Sequence, residues 1–140
     1  MRRNWLFVSI LVVGLGARAM LAADAAAEKA AQEAAQSWLS LVDSEKYKES
    51  WNQAASFFKQ AVTPAQWEGA VKGARGPLGK VKSRQLQSSE YRRSLPGAPD
   101  GEYVVIQYAT SFENKKSAVE TITPMKDKDG VWRVSGYYIK

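Results

Sequence analysis

Residues 102–113 read EYVVIQYATSFE, and this stretch decides the fold because large apolar side chains recur at every second position. The alternation predicts a β-strand with one face turned inward. The inward residues are Val104, Ile106, Tyr108, Thr110 and Phe112. Turn sequences, PGAPDG at 96–101 and NKK at 114–116, bound the segment on both sides, so it is joined to its neighbours by turns.

Three other segments show strand character, at 79–89 or slightly beyond, 117–126 and 131–139. The Asp129-Gly130 pair is a typical hairpin turn between the last two. Three strands linked by hairpins form an antiparallel meander, and the strand at 79–89 extends it to four.

The N-terminal half has the helical period instead. Residues 24–42 place small apolar side chains, mostly alanine, three and four positions apart, which predicts a long amphipathic helix. A second helix, capped by Asp43 or Ser44, is expected to present a shared apolar face; its members are Tyr47, Trp51, Ala54, Phe58 and Ala61.

A third helix is predicted to begin at the segment TPAQ, 63–66, where Thr63 and Gln66 have the spacing of a capping box and Pro64 takes the first helical position. Gly73 or Gly76, followed by Pro77, ends it. Its expected inward residues are Trp67, Ala70, Val71 and Ala74.

Three helices followed by an antiparallel sheet define an α+β fold. We expect residues 23–140 to form one domain, in which the long helix lies across the concave face of the sheet and the two shorter helices close one end.

The first 22 residues have the pattern of a secretory signal peptide. Arg2 and Arg3 precede an apolar run at 5–15 that is too short to span a bilayer, and a small-residue segment follows. Cleavage is expected after Ala19, Ala22 or Ala23. No Cys is present for a lipoprotein anchor, so the predicted product is an exported, periplasmic protein with no integral membrane anchor.

Composition narrows the possible chemistry. The chain has no Cys and no His, which removes disulfides, the commonest general base and the commonest zinc ligand. The net charge of +6 overstates the basicity, because three basic residues lie in the leader, which has no acid, leaving +3. We therefore predict no cofactor, no metal and no nucleic-acid partner; the acidic loop DKDG at 127–130 is interpreted as a solvated hairpin loop.

Several segments together resemble the bacterial domain-of-unknown-function family 4019, from about Ala34 to Lys140. They are YKESW (47–51), Trp67, RGPLG (75–79), Arg84, GEY (101–103), FENK (112–115), ET (120–121) and DGVWRVSGY (129–137). The resemblance implies a small exported protein with a cystatin-like, nuclear-transport-factor-2-like cone, and it brings no established activity or catalytic residues.

Cones of this type enclose pockets in isomerases and dehydratases. A ketosteroid-isomerase-like reaction needs a carboxylate base and an acid that donates to an oxyanion, and Glu120 and Tyr108 are the candidates. The alternative is that Glu120 forms a structural ion pair with Arg133 or Arg84.

Arg75 and Arg84 flank the glycine-containing turn at 76–79 and are candidates for an anion site. The alternative is that Arg75 bonds the last carbonyls of its helix and that the glycines serve only the helix stop and the turn.

Two surface features are also candidates for binding. Five basic residues surround the first strand, and they suit either an anionic partner or protection of an edge strand; they are Lys80, Lys82, Arg84, Arg92 and Arg93. Trp132 and one of the pair Tyr137-Tyr138 are exposed candidates for stacking on a sugar, whereas Trp38, Trp51 and Trp67 are expected in the core.

These patterns favour a non-catalytic periplasmic domain that binds a small ligand or a partner protein. The first alternative is a small ketosteroid-isomerase-like or dehydratase-like enzyme. The second is an interaction module that forms a homodimer through the open face of its sheet.

Overall fold

The computed structural model describes residues 13–140, with side-chain environments from residue 21 onward, and has an α+β architecture. Residues 1–12 of the predicted leader lie outside this description. The helices are α1 (Val13–Asp43), α2 (Tyr47–Gln53), α3 (Ser56–Ala61) and α4 (Pro64–Arg75), followed by a 3₁₀ turn at Gly76–Leu78. The strands are β1 (Val81–Arg92), β2 (Tyr103–Phe112), β3 (Lys115–Lys126) and β4 (Trp132–Ile139).

The strands form one antiparallel sheet in the order β1-β2-β3-β4, which confirms the predicted four-stranded meander. Phe112 pairs with Lys115 across a two-residue loop. This tight loop is the reason that β3 begins two residues earlier than predicted. β1 and β4 are the edge strands.

The inner face of the sheet carries the core. All five residues predicted to point inward from β2 are buried, and α1 crosses this face in contact with all four strands. The buried stripe of α1 begins with Ala31 and Ala35 and ends with bulkier side chains. Alanine lets the helix backbone approach the sheet closely, and Trp38, Leu39 and Val42 fill the space further along.

The prediction of three helices is wrong, because the second one is broken into α2 and α3. Ala54 and Ala55 at the break are fully buried. The Ala55 N–H donates a 2.8 Å hydrogen bond to the carbonyl of Val134 in β4. Because the Ala55 N–H donates to the sheet, it cannot donate to a helical carbonyl. This long-range contact therefore ends α2 and starts α3.

α4 begins with the capping box predicted for Thr63 and Gln66, and both reciprocal hydrogen bonds are present. Its inward face differs from the prediction. Trp67 and Val71 are buried as expected, but Arg75 takes the next inward position, while Ala70 and Ala74 are exposed.

Trp38 and Trp67 are buried in the core, with ring centroids 5.5 Å apart. Both indole N–H groups donate to Ser50, one to its carbonyl and one to its hydroxyl, each at 2.9 Å. Trp51 is partly buried and donates to the Val62 carbonyl. The predicted core position is confirmed for Trp38 and Trp67, which both bind Ser50, whereas Trp51 packs against the core from outside.

Replacing Ser50 by Ala is expected to lower the free energy of unfolding by about 1–3 kcal/mol, because the buried Trp67 donor loses its acceptor. Urea unfolding followed by tryptophan fluorescence measures the change. Ser44→Ala, at an exposed serine whose side chain makes no hydrogen bond to residues 13–140, is the matched control. Equal stability of the two variants would contradict the role of Ser50.

Candidate functional site

Four of the five predicted site residues converge on the inner face of the sheet. Arg84 comes from β1, Tyr108 from β2, Glu120 from β3 and Arg75 from the last turn of α4. The register places Arg84 opposite Thr110 and Tyr108 opposite Glu120 on adjacent strands. The fifth residue, Trp132, lies apart from them at the start of β4.

Arg84 connects two carboxylates. Its guanidinium binds Glu120 through Nε and Nη2, at 2.7 and 3.2 Å, and binds Asp43 through Nη1 and Nη2, at 2.8 and 3.1 Å. Arg75 binds the same Asp43 at 2.8 Å. We call these four side chains the buried charge cluster, after Glu120 and Arg75, which are buried; Arg84 is partly exposed, and Asp43 lies at the solvent-exposed end. Two of the charges are positive and two are negative, so they cancel.

Glu120 is the innermost member, with a side chain that is 0% exposed. Thr110 donates to Oε1 at 2.5 Å, and the Tyr137 hydroxyl donates to Oε2. With the two bonds from Arg84, each carboxylate oxygen accepts two hydrogen bonds. A carboxylate offers about four acceptor positions, so Glu120 has none left for a substrate.

Tyr108 lies beside Glu120 but does not hydrogen-bond to it. Its hydroxyl is buried and has no hydrogen-bond partner among residues 13–140. Burial raises the pKa of Tyr108; the charge of Arg84 opposes this rise and that of Glu120 adds to it. The two residues predicted as an acid–base pair are therefore neighbours without a direct hydrogen bond.

The electrostatics of the cluster favour its charged form. Burial alone raises the pKa of Asp43, but hydrogen bonds and charge from Arg84 and Arg75 outweigh it and hold the pKa below its ordinary value. Burial likewise opposes the charge on Arg84, and the two carboxylates more than compensate, so its pKa is raised. Burial and then the nearby Glu120 raise the pKa of Tyr137, which keeps its donating proton.

The arginines predicted for an anion site are already occupied by carboxylates. Arg75 binds Asp43, lies 3.5 Å from the Tyr137 hydroxyl and sits over the Phe112 ring, so it does not reach for the last carbonyls of its helix as the alternative proposed. Gly79 serves the turn: its φ is +75°, and a Cβ there would lie 3.0 Å from that of Glu113.

The basic residues around β1 divide into separate environments. β1 is an edge strand, as the edge-protection interpretation requires. Arg84 points into the cluster, and Arg92 pairs with Glu90 at 2.6 Å. The exposed remainder, Lys80, Lys82 and Arg93, is a weaker positive patch than the sequence indicates.

The acidic loop at 127–130 is structured by its own contacts. Asp127 accepts from the backbone and hydroxyl of Ser56, at 3.0 and 3.1 Å, and so caps α3. Arg133 binds Asp129 through two 2.8 Å hydrogen bonds, which lower the pKa of Asp129 to about 2. Across residues 13–140, no three carboxylates gather in a way that could hold a metal ion.

Trp132 lines a groove of about 590 Å³ between α1, α2 and the start of β4. We call it the Trp132 groove. Its lining residues are Ala34, Ser37, Trp38, Leu41, Glu49, Asn52, Gln53, Val131, Trp132, Arg133 and Val134. This volume lies in the range of about 300–1,000 Å³ that is typical of small-molecule sites. Other hollows of about 330 to 620 Å³ share that range, so the lining distinguishes this groove and its volume does not.

Several polar side chains of the Trp132 groove have no partner among residues 13–140. The indole N–H groups of Trp38, Trp51 and Trp67 are all hydrogen-bonded internally, whereas that of Trp132 has no partner in the described part of the chain. The side chains of four other lining residues likewise make no hydrogen bond or salt bridge within residues 13–140; they are Ser37, Glu49, Asn52 and Gln53.

The fold and these two sites define a small α+β domain with a neutralised interior and an open groove at one edge of the sheet. Residues 34–137 match the family described as protein of unknown function DUF4019, and the chain belongs to that family. The match includes the whole buried charge cluster and Trp132. No curated protein gave a significant match to the chain.

Sequence reasoning missed Asp43 as a member of the cluster, and it missed Thr110 and Tyr137 as hydrogen-bond donors to Glu120. Tyr137 was expected only as one of two alternating tyrosines, and it is indeed the inward one, with Tyr138 53% exposed. A signal for Asp43 exists, because an acid in the last turn of a helix is unfavourable next to the negative end of the helix dipole and implies a cationic partner.

Glu120→Gln is expected to lower the free energy of unfolding by about 3 kcal/mol, since it leaves a buried arginine with one fewer counter-charge. Chemical denaturation at neutral pH measures the loss. Glu33→Gln, at an exposed glutamate of α1, is the control and should stay within about 0.5 kcal/mol of wild type. Unchanged stability in Glu120→Gln would contradict a structural role for the ion pair.

The cluster also predicts acid sensitivity. A carboxyl whose pKa is lowered by folding contributes stability above its unfolded pKa, near 3.8 for Asp43, and loses it as the pH falls through the folded value. We therefore expect unfolding free energy to fall below about pH 4, and to fall less steeply in Asp43→Asn. Urea titrations from pH 7 to pH 2.5 test this; parallel profiles for the two proteins would count against it.

Proposed function

We propose that the protein is an exported, periplasmic, non-catalytic domain that binds a small ligand in the Trp132 groove. The observation that carries the proposal is the contrast between its two candidate sites. Every acceptor position of the buried Glu120 is taken by protein donors. By contrast, five side chains that line the Trp132 groove make no hydrogen bond or salt bridge within residues 13–140; they are Ser37, Glu49, Asn52, Gln53 and Trp132.

We also propose that the domain adopts the cystatin-like, nuclear-transport-factor-2-like cone. A long helix that crosses the inner face of a four-stranded antiparallel meander supports this arrangement. In this chain the space between helix and sheet is filled by tryptophan, tyrosine and the buried charge cluster. A ligand is therefore placed at the side of the cone, in the Trp132 groove.

One observation favours the enzymatic alternative. The Tyr108 hydroxyl is buried without a partner, and such a group is a potential donor to an oxyanion. A ketosteroid-isomerase-like or dehydratase-like reaction also needs a free carboxylate base within reach of the substrate. Glu120 lacks that freedom, so the binding function has the stronger support.

Native mass spectrometry of the protein purified gently from the periplasm of its own host tests the proposal. We expect an extra mass that is lost on denaturation, and a denatured chain that begins at Met20, Ala23 or Asp24, the residues after the three predicted cleavage sites. Trp132→Ala should lose the extra mass because the groove loses its largest wall.

Tyr138→Ala is the matched control, since it removes an exposed aromatic of the same strand outside the Trp132 groove. It should retain the extra mass. A bare chain from wild type, or equal ligand occupancy in Trp132→Ala, would contradict binding in this groove. A chain that retains residues 1–22 would contradict cleavage of the leader, and a chain found only in the cytoplasmic fraction would contradict export.

A further inference from the structure

We infer that the ligand of the Trp132 groove is a neutral saccharide, one ring of which stacks on the Trp132 indole. The inference rests on the proposed binding function and specifies its chemistry. It is drawn from the types of polar group in the groove, from its charge, and from the backbone hydrogen bond that closes the adjacent sheet edge.

The free polar side chains of the groove are of types that hydrogen-bond well to hydroxyl groups. Ser37 has a hydroxyl, and Asn52 and Gln53 have amides, so each of these side chains both donates and accepts hydrogen bonds. Glu49 adds an acceptor and the Trp132 indole adds a donor. A sugar hydroxyl is itself a donor and an acceptor, so a ring with several hydroxyls can satisfy this mixed set, whereas an apolar ligand leaves it unpaired.

The charge of the groove disfavours anions. Its lining contains a single cation, Arg133, which already binds Asp127 at 3.3 Å and Asp129 at 2.8 Å. Glu49 is exposed and makes no salt bridge among the described residues. A phosphate or carboxylate ligand would meet an uncompensated negative charge here, so an anionic ligand is disfavoured.

The Trp132 indole provides an aromatic surface on which a sugar ring can stack. Trp132 is partly exposed and packs one side against the core. An indole is apolar on its faces and polar at its N–H, so it can cover the C–H face of a pyranose while donating to a neighbouring hydroxyl.

A peptide added to the edge strand is disfavoured at this position. The Val134 carbonyl, which lies on the edge strand β4 and in the groove wall, already accepts the Ala55 N–H at 2.8 Å. Strand addition needs such edge groups to be free. The backbone at this part of the edge is therefore closed, and side chains carry the recognition.

Two-dimensional ¹H–¹⁵N NMR of the indole N–H groups tests the inference with the protein itself. The probes are three neutral tetrasaccharides, cellotetraose, maltotetraose and chitotetraose, and one anionic comparator, tetragalacturonate. We expect at least one neutral probe to shift the Trp132 signal saturably. The signals of Trp51 and Trp67 serve as internal references, because these residues do not line the Trp132 groove and their N–H groups are bonded within the protein.

Trp132→Ala should weaken the affinity for that probe about tenfold or more, which matches the loss of one aromatic stacking contact. Because Trp132 also contacts the core, Asn52→Ala provides a second test at an exposed side chain, with an expected loss of about three- to tenfold for one hydrogen bond. Tyr138→Ala should bind as wild type does.

Two results would overturn the saccharide inference. One is a Trp132 signal that stays unchanged with all three neutral probes; the other is tetragalacturonate binding as tightly as the best neutral probe. If native mass spectrometry still shows a ligand that Trp132→Ala loses, the proposed binding function survives and only its saccharide chemistry fails. If Trp132→Ala keeps the ligand, the groove itself is refuted.

Discussion

The interior of this domain depends on one side chain, Arg84, whose guanidinium is shared between two carboxylates. Glu120 binds one edge of the guanidinium and Asp43 the other. Through these bonds, and through Arg75 and Tyr137, the end of α1, the end of α4 and three strands converge on one point. Breaking such a buried pair leaves an uncompensated charge in a low-dielectric interior, so the elements around it are held in a fixed relative position.

This constraint decides where a ligand can bind. Between its long helix and its sheet the molecule has placed charges that neutralise each other and aromatic rings that fill the remaining space. Most polar groups there are hydrogen-bonded, with Arg75 Nε and the Tyr108 hydroxyl as exceptions. A bonded group offers little to a ligand, because binding would exchange one partner for another at no gain. The Trp132 groove is the reverse case, since Ser37, Glu49, Asn52 and Gln53 face solvent, and a ligand need displace only water from them.

The sheet and its inward residues could be predicted from the sequence because they depend on local periodicity and on turn residues. The alternation in 102–113 specified the face of β2, and Asp129-Gly130 specified the last hairpin. The break between α2 and α3 could not be predicted in this way. It depends on a hydrogen bond from Ala55 to Val134, which are separated by most of the sheet in sequence, and the residues around Ala54 have good helical periodicity.

Part of the cluster was also accessible from the sequence. Arg84 was one of the two partners predicted for Glu120, and the structure pairs them. They lie on β1 and β3, so the ion pair reaches across the intervening strand β2. The position of Arg75 was not anticipated, because the alanines of α4 suggested a simpler inward stripe. Those exposed alanines leave the surface of α4 smooth, while the arginine turns its charge inward to Asp43.

Asp43 couples the stability of α1 to that of the sheet and α4 through its ion pairs. As an acid in the last turn of α1, it lies next to the negative end of the helix dipole, where it destabilises an isolated helix. Ion pairs with Arg75 from α4 and Arg84 from β1 offset this destabilisation. An acid at this unfavourable position of α1 is therefore tolerated, because it supplies the second negative charge for Arg75 and Arg84. The carboxylate of Glu120 alone could not neutralise both arginines.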